Sequence, residues 1–320
     1  MDQGKTRSFG LGCDMPPAPR PLAIASDHLN PSSTVCERLR ALVALTKPRL
    51  AFFSVCSGVS GLLVARPEAN LILPAPLGIA LAAGGALSFN QWWEREPDAL
   101  MRRTADRPLP AGRVSAGTAL GFSLALSLAG CGLLAATTTP LAAAIAALII
   151  VLYGLVYTPM KRRTRWATEV GAISGALPPL LGAAAAGAPQ HPAAWALAAA
   201  LLFWQMPHFF AVGWMYREDY RRAGFRLLPV IDADGRATAW WSAGHAGLMG
   251  AAVLIPWSLG AVGPIYGTIG ILSAGALLHA ACAMLRQQND GRVQPARRLF
   301  LVTIATLPLM MIALVAETLF

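Results

Sequence analysis

Charged side chains are scarce in this chain. Asp, Glu, Lys and Arg together make up 13% of its 320 residues, against about 25% in a soluble globular domain. With 55% hydrophobic residues and a mean hydropathy of +0.52, this shortfall excludes an ordinary soluble fold. Acids are scarcer than bases, 16 against 26, for a net charge of +10. The bases are dispersed among short connections and form no basic soluble domain, which argues against nucleic-acid binding. Cysteine is limited to Cys13, Cys36, Cys56, Cys131 and Cys282. No two form a CxxC pair, so neither a disulfide framework nor a thiolate metal site is expected. The first 45 residues lack the apolar stretch and cleavage site of a signal peptide and are rich in Pro, Arg and Ser. Residues 1–45 are therefore expected to form a disordered cytoplasmic arm, and residues 46–320 a transmembrane domain.

Long apolar runs are abundant. They fall near 50–65, 71–93, 114–136, 139–157, 167–186, 193–216, 237–259, 265–285 and 299–319, each about long enough to cross a bilayer as a helix. The runs are too uniformly apolar for barrel strands. The expectation is an all-α membrane protein of about nine transmembrane helices. Of the 26 Lys and Arg residues, 25 lie in the N-terminal tail or after an even-numbered run, and Arg66 alone lies on the other side. Basic loops stay cytoplasmic, which places the N-terminus inside and the C-terminus outside. The Ala-rich composition suggests a bacterial plasma (inner) membrane.

The stretch from Asn90 to Gly112, NQWWEREPDALMRRTADRPLPAG, concentrates chemistry at the end of one run. Asn90, Glu94 and Asp98 are four residues apart, on one face of a helix and separated by about 6 Å of rise. Pro97 threatens that helix, because it lacks an N–H and disfavours a helical residue before it. Arg102, Arg103 and Arg107 follow. A hard cation held by few carboxylates completes its shell with substrate phosphates, and arginine forks fit the same oxygens. The combination points to a membrane enzyme acting on a diphosphate ester. After the sixth run, DYRRAGFRLLPVID from Asp219 echoes DALMRRTADRPLPAG from Asp98. Two four-helix halves plus one helix around a central cavity would place these stretches together.

These motifs resemble those of the membrane prenyltransferases of the 4-hydroxybenzoate polyprenyltransferase (UbiA-type) superfamily. Asn90 to Asp98 with Arg103-Thr104 and Arg107-Pro-Leu-Pro carries the first signature. Thr46-Lys-Pro-Arg49, Tyr157-TPM-Lys161, Gly175-ALPP-Leu180, Phe203-WQMPHFF and Arg217-EDY-Arg221 point to the haem-modifying branch. The resemblance implies Mg²⁺-dependent transfer of a farnesyl group from farnesyl diphosphate to a vinyl group of haem b, giving haem O. It further implies contact with haem A synthase or terminal-oxidase assembly. Asn90, Glu94, Asp98 and Asp219 would be the catalytic and metal-holding residues; Arg103, Arg107, Tyr157, Lys161 and His208 would bind substrate.

Several residues keep two readings. Relatives commonly carry an acid four positions before Asp219, where this chain has Met215, with Glu218 adjacent instead. Tyr157 could orient a phosphate or sit in the interfacial aromatic belt. His208, polar at membrane depth, could contact the porphyrin or bond a carbonyl freed by Pro207. Two other functions share part of the pattern: a prenyltransferase for quinone-type or chlorophyll-type acceptors, and a secondary transporter. The concentration of acids and arginines in connections disfavours the transporter, whose site would lie near the bilayer midplane.

Overall fold

The computed structural model of the chain describes residues 34–287 and 289–319, and among these there is no β-strand. The helices are α1 (Val35–Leu45), α2 (Pro48–Val64), α3 (Pro74–Trp93), α4 (Arg95–Leu100), α5 (Ala116–Thr137) and α6 (Pro140–Ile150). A π-helical stretch (Val151–Tyr157) carries α6 into α7 (Thr158–Met160). Then come α8 (Ala167–Ala176), α9 (Pro178–Ala185), α10 (Pro192–Met215), α11 (Arg217–Arg222), α12 (Leu228–Ile231), α13 (Arg236–Ser258), α14 (Pro264–Leu285) and α15 (Val293–Leu319). Proline opens α2, α3, α6, α9, α10 and α14. At a first helical position the missing N–H costs nothing and the fixed φ suits the turn.

Among the described residues six helical stretches are long and apolar enough to cross a membrane, or seven if α1 and α2, bent by 52°, form one span. The expected count of nine is not reached on this measure. Pro178 divides the fifth run into α8 and α9, of ten and eight residues. The first half of α13 carries Thr238, Trp240, Trp241, Ser242 and His245, which dilute its apolar character.

The helices form a closed ring. The order α2, α3, α5, α6 is followed by α8–α9, α10, α13 and α14, and α15 packs on both α14 and α2 to close it. Across the ring α2 lies against α9, and α10 against α15. The first of these contacts brings backbones together. A Cβ at Gly61 would fall 1.9 Å from the Pro179 carbonyl oxygen, and one at Gly182 would fall 1.8 Å from that of Gly58.

The arm expected to be disordered is ordered over its last turns; residues 1–33 lie outside the described residues. Thr34 and Glu37 form a reciprocal capping box at the start of α1, satisfying two orphan N–H donors. Ala41 and Leu45 then pack on Leu109, Val114 and Ala119. At its other end, Gln91 of α3 donates from Nε2 to the carbonyls of Ala44 and Leu45 at 3.0 and 2.9 Å. This anchors the C-terminus of α1 beside the end of α3.

Candidate active site

The α3–α4 junction breaks at Glu94, three residues before the expected point. Pro97 has no N–H to donate to the Trp93 carbonyl, so the helix loses that bond one turn earlier. The spacing survives the break: Glu94 N–H donates to the Asn90 carbonyl at 3.0 Å and Asp98 N–H to the Glu94 carbonyl at 2.8 Å. The three side chains are buried, at 0% exposure for Asn90, 4% for Glu94 and 0% for Asp98. Buried carboxylates are tolerated only when paired.

Each of the three has a basic partner from a different part of the chain. Lys47, in the left-handed region at φ 46° between α1 and α2, donates from Nζ to Asn90 Oδ1 at 2.5 Å. Asn90 Nδ2 donates to Thr158 Oγ1 at 2.9 Å, and the Thr158 hydroxyl donates to the Tyr153 carbonyl at 2.7 Å. Lys161 Nζ stands 2.8 Å from Glu94 Oε1, an ion pair without the angles of a well-directed hydrogen bond. Arg107 Nη1 donates to Asp98 Oδ2 at 2.6 Å, and the Thr104 hydroxyl donates to the Asp98 carbonyl at 2.8 Å. Burial alone would lower the Lys161 ammonium pKa; the charge of Glu94, helped by Tyr157 and Tyr153, outweighs it and raises the value above the usual lysine range.

The oxygens fit a hard divalent cation, which prefers carboxylate and amide donors. Asp98 Oδ1 is buried and makes no hydrogen bond among the described residues, leaving it a donor oxygen without a partner. No three His, Cys, Asp or Glu side chains converge among the described residues. Asp219 therefore does not close a three-carboxylate cage with Glu94 and Asp98 in this conformation.

The echo of the first motif is visible in the backbone. Helix α10, like α3, ends in a one-residue break followed by a six-residue helix, here α11 carrying Asp219. The two connections meet. Arg103 donates from Nη2 to the Tyr220 hydroxyl at 3.1 Å and lies over the rings of Tyr216 and Tyr220 at 5.2 and 5.8 Å. Met101 packs with Ala223 and Phe225, and Arg226 N–H donates to the Lys161 carbonyl at 2.8 Å. Arg103 thus joins the two motifs rather than pairing with Asp98. Asp219 lines a pocket of about 260 Å³ with Trp214, Tyr216, Arg217 and Glu218.

Tyr157 stands beside this cluster: its ring lies 4.5 Å below Lys161 Nζ and against Gly171, whose Cβ would fall 2.8 Å from it. His208 does not bond a carbonyl freed by Pro207. Its Nδ1 lies 2.8 Å from Thr303 Oγ1 on α15, and its ring stacks on Trp204 at 5.3 Å. Lys47 and Thr158 both bond to Asn90 in this cluster, and sequence reasoning assigned neither a role, although both lie inside quoted motifs. A signal for Lys47 exists in the composition: lysine occurs only at positions 5, 47 and 161, and two of the three reach this site.

The model of the UbiA prenyltransferase family matches residues 51–304. The chain is 41% identical over 278 residues to the protoheme IX farnesyltransferase of Opitutus terrae, covering 86% of this chain and 94% of that one. It is 40% identical to the protoheme IX farnesyltransferase of Solibacter usitatus, covering 85% and 96%. In fold it is similar to a UbiA homologue from Aeropyrum pernix, with a TM-score of 0.69 at 19% identity over 84% of this chain and 98% of that one. A UbiA homologue from Archaeoglobus fulgidus bound to DMAPP and Mg²⁺ gives 0.67 at 14% identity over 85% and 98%. Half of the chain and more matches the family model, and the curated relatives pair with it along most of both lengths: the chain belongs to the UbiA prenyltransferase family, within the group of the protoheme IX farnesyltransferases.

Proposed function

We propose that this membrane enzyme transfers the farnesyl group of farnesyl diphosphate to a vinyl group of haem b, giving haem O. The observation that carries the reading is the buried set Asn90, Glu94 and Asp98 with Lys47, Lys161 and Arg107 around it, in a chain whose relatives carry that name. Asn90, Glu94 and Asp98, with Asp219 across the junction, would hold Mg²⁺, which when bound would offset charge on the departing diphosphate.

The three cations supply the protein's own share of that charge. Each is spent on a site oxygen, so an entering diphosphate would exchange with an acid already in place rather than meet free ammonium or guanidinium groups. Arg107 can then fork onto two phosphate oxygens, and Lys47 and Lys161 act as point charges at fixed positions. The allylic C–O bond breaks with its electron pair leaving on diphosphate. The vinyl π electrons form the new C–C bond, and a water captures the resulting carbocation with loss of a proton. Tyr157 and the apolar helices around the junction limit premature access of water to the allylic cation.

We place the basic connections and the site on the cytoplasmic side of a bacterial inner membrane, with haem O passed to the machinery that forms haem A. The test uses membranes containing the protein, radiolabelled farnesyl diphosphate and either haem b or 4-hydroxybenzoate. Label in the porphyrin fraction alone is the expected result. Label in the aromatic acid alone would overturn the acceptor, and label in neither would overturn the transferase reading.

A further inference from the structure

One turn of α15 holds two ring side chains of α10. Trp204 donates from Nε1 to the Thr303 carbonyl at 3.2 Å and to Thr306 Oγ1 at 3.1 Å, and the Thr306 hydroxyl donates back to the Thr303 carbonyl at 3.1 Å. The His208 ring stacks on Trp204 with an interplanar angle of 18° and meets Phe300 at 5.2 Å. Its Nδ1 is 2.8 Å from Thr303 Oγ1. Thr303 is fully buried, so water does not compete for its hydroxyl.

The direction of the His208–Thr303 bond follows from counting protons. A threonine hydroxyl has one, and Thr303 donates it to the Phe300 carbonyl at 2.6 Å. Thr303 Oγ1 can then only accept, so His208 Nδ1 carries the proton. In a neutral ring Nε2 is left with a bare lone pair, and no partner for Nε2 occurs among the described residues. A histidine whose Nδ1–H is tied down and whose Nε2 is open is prepared to donate to a metal, and the bond at the far nitrogen sets the tautomer. The ring lies seven residues, about 10 Å of helical rise, before the end of α10, within the apolar part of the chain.

Resting on the haem reading above, we propose that Thr303 is a positioning residue for the acceptor: it locks His208 as the Nδ1–H tautomer and directs Nε2 to the porphyrin iron. The experiment titrates haem b into purified full-length protein and its His208→Ala, Thr303→Val and Thr303→Ser variants. It records the Soret band and the affinity, with a non-hydrolysable farnesyl diphosphate analogue as the second ligand. Loss of a partner behind a metal-bound histidine costs about 10- to 100-fold in affinity. Thr303→Val should therefore weaken haem binding by at least about tenfold and shift the Soret band, Thr303→Ser should restore both, and analogue binding should stay unchanged in each. A wild-type haem spectrum and affinity in Thr303→Val, beside altered ones in His208→Ala, would overturn the role of Thr303 and leave the haem contact standing. No change in His208→Ala would instead overturn the contact itself. Loss of both ligands in Thr303→Val without rescue by serine would make Thr303 a packing residue and overturn the proposal.

Discussion

Asp98 and Glu94 are both buried and each is matched to one cation, and the proposed chemistry turns on them. Asp98→Asn and Glu94→Gln keep the shape and remove the charge. Each should lower farnesyl transfer by about 100-fold or more, the scale of losing one charge-stabilising group in a dry site, with membrane expression retained. Transfer within threefold of wild type at limiting Mg²⁺ in both variants would remove these residues from the mechanism. Arg107 and Arg163 offer a second comparison. Arg107 reaches Asp98, whereas Arg163 is exposed in a basic connection. Arg107→Ala should raise the KM for farnesyl diphosphate by about tenfold or more, since a hydrogen bond to a charged group contributes about 1.5–3 kcal/mol. Arg163→Ala should leave it alone, and equal KM values would contradict the assignment.

At the scale of helices, the α2–α9 contact makes the strongest packing demand. A methyl group at Gly61 or Gly182 would collide with carbonyl oxygens of the opposite backbone, whereas one at Gly132 of α5 would meet nothing within 4 Å. Gly61→Ala and Gly182→Ala should each cost about 1–3 kcal/mol through overpacking and lower the thermal unfolding midpoint in detergent. Gly132→Ala should hold it or raise it. Much at this scale was legible in the sequence: the apolar runs found the long helices. The end of α3 was legible in kind but not in place, because the cost of Pro97 is felt at the carbonyl four residues back and so the break sits at Glu94. The helix 35–45 was missed because its cap, Thr34 with Glu37, lies in a stretch whose composition reads as a tail. In the site, the i, i+4 acids were legible as local spacing. Lys47 against Asn90 and Thr303 against His208 were not, because those pairs are 43 and 95 positions apart in sequence and only the ring of helices brings them together.

For the molecule as a whole, the sorting of basic residues is the main statement about orientation. In the nine-run reading 25 of 26 Lys and Arg fall in the N-terminal tail or after even-numbered runs, so alkaline phosphatase fused to the C-terminus should be active in a bacterial host and a fusion within the connection holding Arg163 inactive; the reverse pattern would contradict the proposed cytoplasmic placement of the site. The proposed function joins a diphosphate-ionising site to a haem acceptor. It is tested most directly by the mass of haem extracted from a host that lacks its own haem farnesyltransferase. Expression of this chain should convert part of the haem b to a species heavier by one farnesyl group and one hydroxyl group, and Asp98→Asn should not. Haem b alone in both strains, with the protein present in the membrane, would contradict the account.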